Sequence, residues 1–195
     1  MTSSRRTAQG IPTQLVKDLL RRQPASELAE FLLRGMKDNG QFHRKVLAWL
    51  ISEHPSILPD EMALAELTAW VDDVFAEPGH KPRTPNLTEL NPVRAAVRKR
   101  PAIAVPVHIA IVQGISGHLH AYGGGPTSHY SGLVRAFRDA AQALLALDDP
   151  EAQEKYLQEL ESLASGLDDL GYGVDAATQE CLDDTMSELG EVRQD

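Results

Sequence analysis

Only one cysteine, Cys181, occurs in the 195 residues, which excludes an internal disulfide framework. It falls in a helical pattern with no basic residue beside it to lower its pKa, so it reads as a half-buried thiol rather than a nucleophile. Aromatic residues make up only 5% of the chain, and Ala and Leu carry most of the apolar load. Those side chains lose little rotamer freedom in helices, so helix packing is favoured over sheet packing. No apolar run reads as long enough to span a bilayer, and no membrane contact is expected. The stretch Met1–Gly10 has no apolar segment behind Arg5 and Arg6, as a secretory signal requires. Residues 1–11 therefore read as a disordered tail. A lone thiol without a signal fits a reducing compartment, and a cytoplasmic location is expected.

What the chain does have is charge, unevenly placed. The net charge is −9. Residues 1–138 hold 17 Lys and Arg against 12 Asp and Glu, whereas residues 139–195 hold 2 against 16. Basic residues cluster at Lys17, Arg21 and Arg22, and again at Arg94, Arg98, Lys99 and Arg100. Solvated helix faces account for such clusters, and the acidic total with no recognition motif argues against nucleic acid. Opposite charge at the two ends also allows the acidic arm to meet the basic region, within one chain or between two.

Apolar spacing fixes the elements. Pro12 can start a helix with Leu15, Val16, Leu19 and Leu20 on one face. A second carries Leu28, Phe31, Leu32 and Met36 and is expected to stop at Asn39–Gly40. A third places Phe42, Val46, Leu47 and Leu50 in register and ends at His54–Pro55. Asp60 and Glu61 open a fourth, with Leu64, Leu67, Trp70 or Val71, Val74 and Phe75, which ends at Pro78–Gly79. Short turns between them imply antiparallel neighbours over residues 12–77. The Pro- and Gly-rich segment 78–91 is the candidate linker between two subdomains.

Beyond it, Asn91–Pro92 starts a short basic helix expected to end at Pro101. Ile103, Val105, Val107, Ile109 and Ile111 alternate as in a strand, yet Ile103, Val107, Ile111, Gly114, His118 and Tyr122 share a helical face. A lone strand would leave its backbone unpaired, and no second candidate strand exists. The spacing thus predicts a helix from near Pro106, stopped by Gly123–Gly125. Further helices carry Leu133, Phe137, Ala140, Ala141, Leu144 and Leu145, then Tyr156, Leu157, Leu160, Leu163 and Ala164 behind an Asp149 cap. The last, capped by Asp175, bears Leu182, Met186 and Leu189 and is expected to close at Gly190.

The fold class expected is all-α: about eight amphipathic helices in antiparallel hairpins, with a C-terminal subdomain over 92–190 and a tail at 191–195. With Leu/Phe stripes and stops at Asn39–Gly40 and Pro78–Gly79, residues 12–77 resemble HEAT- or TPR-type helical repeat proteins. That resemblance implies a binding scaffold and carries over no catalytic residue.

Histidines are the one feature pointing to chemistry. His118 and His120 form H-x-H, with His108 ten residues before and His129 nine after. Converging imidazoles could bind zinc or another divalent transition metal. On a helix, however, H-x-H sets its two rings about 200° apart, which suits joint ligation poorly. Gly123–Gly124–Gly125–Pro126 lacks the lysine of a phosphate loop and reads as a connector. Asp169 and its neighbours put glycines where a calcium loop needs oxygen ligands. Gly114-Ile115-Ser116-Gly117 is not a nucleophile elbow, because the second glycine directly follows the serine.

The leading expectation is therefore a non-enzymatic helical module that holds another protein, or a second copy, through a groove and a bipolar charge surface, with no cofactor. The alternatives are a small metal-dependent hydrolase around His108, His118, His120 and His129, and nucleic-acid binding through Arg94, Arg98, Lys99 and Arg100.

Overall fold

In the computed structural model the structure describes residues 21–54, 58–76 and 84–192. The helix expected from Pro12, the tail at 1–11 and the stop at Pro78–Gly79 lie outside them. Among the described residues there are eight α-helices, two single 3-10 turns and no strand, so the fold is all-α. The chain divides into two compact units, Met1–Val46 and Leu47–Asp195.

The first unit contains α1 (Ala25–Asp38) and the opening of α2 (Gly40–Glu53). Asn39 and Gly40 do not stop α1 by left-handed geometry as expected. Asn39 is extended, at φ −141° and ψ 104°, and its side-chain oxygen accepts from the Phe42 amide at 3.0 Å. It is the N-cap of the next helix, a role in which Asn ranks with Ser and Asp. Gly35 lets the Phe42 ring lie close against α1, since a Cβ there would come within 2.8 Å of Phe42 Cε1.

The second unit begins with the end of α2, whose buried residues are Ala48 and Ile51 rather than the expected Val46, Leu47 and Leu50. Helix α3 (Asp60–Phe75) buries Ala63, Leu67, Trp70 and Val71. Residues 84–91, expected to be linker, are tied to this unit's core through Leu90, with Leu87 packed against it. They form the 3-10 turn Leu87–Leu90, with the Thr88 amide bonded to Asn86 Oδ1, and Leu90 is fully buried. Helix α4 (Asn91–Val97) follows directly and buries Val93, Ala96 and Val97.

Helix α5 (Pro101–Tyr122) is the axis of the unit. It starts at Pro101, not near Pro106: Pro101 takes the first turn, where a missing N–H costs nothing. Pro106 then sits inside the helix, where one hydrogen bond is lost. Ten of its residues are buried, among them all five of the strand-like alternation, Ile103 to Ile111. A helix enclosed on nearly all sides satisfies both periods at once, which is why spacing alone could not separate them. At 22 residues α5 is also long and apolar enough to cross a membrane, contrary to the expectation that no such run exists, but 61% of its most apolar window is buried within the chain. Gly123, at φ 64°, ends it, and the Gly124 amide reaches back to the Leu119 carbonyl at 2.8 Å.

Only four residues separate α5 from α6 (Thr127–Leu145), and the two pack along their length, so the chain must reverse between them. Leu133, Phe137, Ala140, Ala141 and Leu144 are buried, as the spacing predicted. Helix α7 (Pro150–Ser165) has Asp149 as its cap, accepting from the Glu151 and Ala152 amides, and buries Leu160 and Ala164. Helix α8 (Val174–Val192) starts one residue before Asp175 and runs through Gly190 instead of closing there. Leu182 and Leu189 are buried, whereas Met186 is exposed. Each fully buried Leu, Ile or Phe contributes about 1.5–3 kcal/mol relative to exposure, and the second unit holds a dozen of them.

Candidate functional site

The basic cluster of α4 does not form one patch. Arg100 points inward with its side chain 10% exposed; it donates to the Leu58 carbonyl at 3.1 Å and to the Ile51 carbonyl at 3.5 Å, and pairs with Asp60. It pins the end of α2 to the start of α3. Arg94 is half-buried and donates to the Gly132 carbonyl on α6 at 3.4 Å, while its Nε is buried without a partner. Burial lowers its pKa and Asp139 opposes that fall. Arg98 and Lys99 alone of the four are exposed.

The four histidines do not converge as a set either. His108 is buried on α5, and its Nδ1 has no hydrogen-bond partner. Desolvation pulls its pKa down to about 4 against the attraction of Asp139, with Arg94 and Arg135 adding to the fall. It is therefore a neutral imidazole at pH 7. His118 and His129 come together, ring centroids 5.5 Å apart, and the Tyr122 ring also lies against His118 at 4.7 Å. His120 is exposed, on the far face of α5 from His118, as helical geometry requires. The Nε2 of His129 lies 3.1 Å from the Pro85 carbonyl, which can only accept, so that nitrogen carries the proton. Its Nδ1 is buried without a partner. Among the described residues no three His, Cys, Asp or Glu side chains group as metal ligands would.

Burial raises the pKa of the Cys181 thiol, with Asp184 and Glu180 reinforcing it and Arg138 and Thr185 opposing. The thiol stays protonated at neutral pH.

Two surfaces remain. On α1, none of Leu28, Phe31, Leu32, Leu33 and Met36 is buried, and Phe31 and Leu33 are 63% and 65% exposed. In the second unit a cleft of about 470 Å³ runs along α6 to the start of α8. Arg135, Arg138 and Asp139 line it, together with the rings of Tyr130 and Tyr172. Tyr172 stacks on Tyr130 with centroids 4.3 Å apart and a tilt of 32°. Sequence reasoning passed over this cleft, weighing Gly171 and Gly173 only as glycines that rule out a calcium loop after Asp169. The usable signal was the tyrosine between them: a large ring in a glycine turn is presented outward. A second signal lay in the stretch from 101 to 134, which contains no Asp, Glu, Lys or Arg and marks the central helix and the turn after it.

No protein-family model, no curated protein and no solved structure matches this chain.

Proposed function

We propose that the protein is a non-enzymatic helical interaction module that holds another protein, or a second copy of itself, against α1. The observation that carries this reading is that α1 has five large apolar side chains and buries none of them. Apolar surface left in water at a helix face is a free-energy gain awaiting a partner. Bipolar charge, with 16 acids in residues 139–195 against two basic residues, adds steering at low salt. The likeness of residues 12–77 to helical repeat scaffolds points the same way.

The test compares the wild-type chain with the double variant Phe31→Glu/Leu33→Glu. Both positions are exposed, so the variant keeps its helix content and melting temperature. Sedimentation velocity on pure protein and quantitative capture from a lysate should show an associated species with wild type that the variant loses. Equal association by the two proteins, or a wild type that stays monomeric and captures nothing, defeats the reading.

A further inference from the structure

We infer that the cleft along α6 is a binding site for a planar aromatic ring that carries a phosphate or a carboxylate. The cleft lies wholly in the second unit and is independent of the α1 surface.

The aromatic half of the site rests on Tyr172. Gly171, Tyr172 and Gly173 have φ of 70°, 54° and 69°, three consecutive positive values, with Gly171 at ψ −159°. Glycine adopts that geometry freely, but tyrosine is disfavoured there by its Cβ. The turn nonetheless spends its one non-glycine position on a large ring. That ring is 76% exposed, with one face on Tyr130, which is itself only 6% exposed. Tyr130 thus fixes the plane, and the opposite face of the ring of Tyr172, a residue that lines the cleft, is left open. A ring laid on that face gains stacking without displacing any part of the chain.

The anionic half rests on α6. Arg135 and Arg138, one turn apart, line the same wall. The Arg135 side chain is 68% exposed and meets Asp139 only at 3.9 Å, a loose ion pair that leaves its fork available. Two guanidiniums against one carboxylate make this lining basic in a chain of net charge −9. Guanidinium forks suit phosphate and carboxylate oxygens in pairs. Thr127 also lines the cleft and adds a hydroxyl, while the Ser131 hydroxyl donates to the Thr127 and Ser128 carbonyls. The volume, about 470 Å³, falls in the range of small-molecule sites.

The same chemistry can arrive on a free mononucleotide or on a phosphotyrosyl peptide. Calorimetric titration and amide chemical-shift mapping of the full chain separate the two, with AMP and a phosphotyrosyl tripeptide as probes and adenosine and inorganic phosphate as controls. At least one ring-bearing phosphate should saturate the protein, with shifts confined to residues 127–142 and 171–177, and whichever probe binds identifies the source. Each control, having only half of the chemistry, should bind at least about tenfold more weakly. Arg135→Ala/Arg138→Ala should weaken the bound probe about tenfold or more. Tyr172→Gly removes the ring while suiting the left-handed backbone, so it folds as well as wild type and should weaken binding about fivefold. Failure of both probes, inorganic phosphate binding as tightly as either, or affinity unchanged in the two variants overturns the site.

Discussion

Removing the guanidinium of Arg100 would leave the Ile51 and Leu58 carbonyls short of a donor and Asp60 without its partner. Breaking a mostly buried, multiply bonded cation costs far more than breaking a surface pair. Arg100→Met should therefore destabilise the protein by about 2 kcal/mol, read as a lower urea midpoint with an unchanged slope. Arg98→Met, two residues away and exposed, should change stability by less than about 0.5 kcal/mol. His108 gives a second residue-level prediction. In the unfolded chain it titrates near 6.5 and in the fold near 4, so between those values the unfolded chain holds the extra proton. Its stabilising contribution is intact at neutral pH, fades as pH falls below 6.5, and is gone near pH 4. The total loss is on the order of 3 kcal/mol. Urea midpoints measured down that range should fall more steeply for wild type than for His108→Leu, in which nothing remains to protonate. Parallel profiles would show that His108 is not held neutral by its surroundings.

Among the elements, glycines at helix crossings set how closely α5 and α6 approach their neighbours. A Cβ on Gly132 would come within 2.7 Å of Leu87 Cδ1, and one on Gly114 would overlap the ring of Phe75. Overpacking of this kind costs about 1–3 kcal/mol, more than the helix propensity that alanine adds. Gly114→Ala should lower the melting temperature, Gly132→Ala, whose Cβ meets only the movable end of Leu87, should change it little, and Gly117→Ala, with open space around it, should raise it slightly. A melting temperature lowered equally by all three would refute the crossing argument.

Much at this scale was legible beforehand. The stripes of α6 and α7 read correctly because each has one buried face and an opposite face in water. The start of α5 did not, because Pro101 and Pro106 both offer a first turn, and a helix buried nearly all round gives no polar face to settle its register. Asn39 was misassigned because the same residue can end one helix or cap the next; only the neighbouring backbone decides. The cleft was harder to read. It joins Arg135 and Arg138 on α6 to Tyr172 more than thirty positions later, a juxtaposition that depends on how α8 packs. Basic residues counted as one run, Arg94 to Arg100, point in different directions because α4 ends at Val97 and Arg98, Lys99 and Arg100 form the turn before α5.

For the whole molecule, the second unit is a closed bundle around α5, whereas α1 keeps its apolar side chains in water. That contrast is the basis for the binding role proposed for α1. Placing a photo-crosslinking benzophenone amino acid at Phe31 in cells, with Glu154 on α7 as an exposed control, tests it most directly. The result predicted is a discrete crosslinked species, heterologous or dimeric, from position 31 and none above background from position 154. Indistinguishable background from both positions would contradict it.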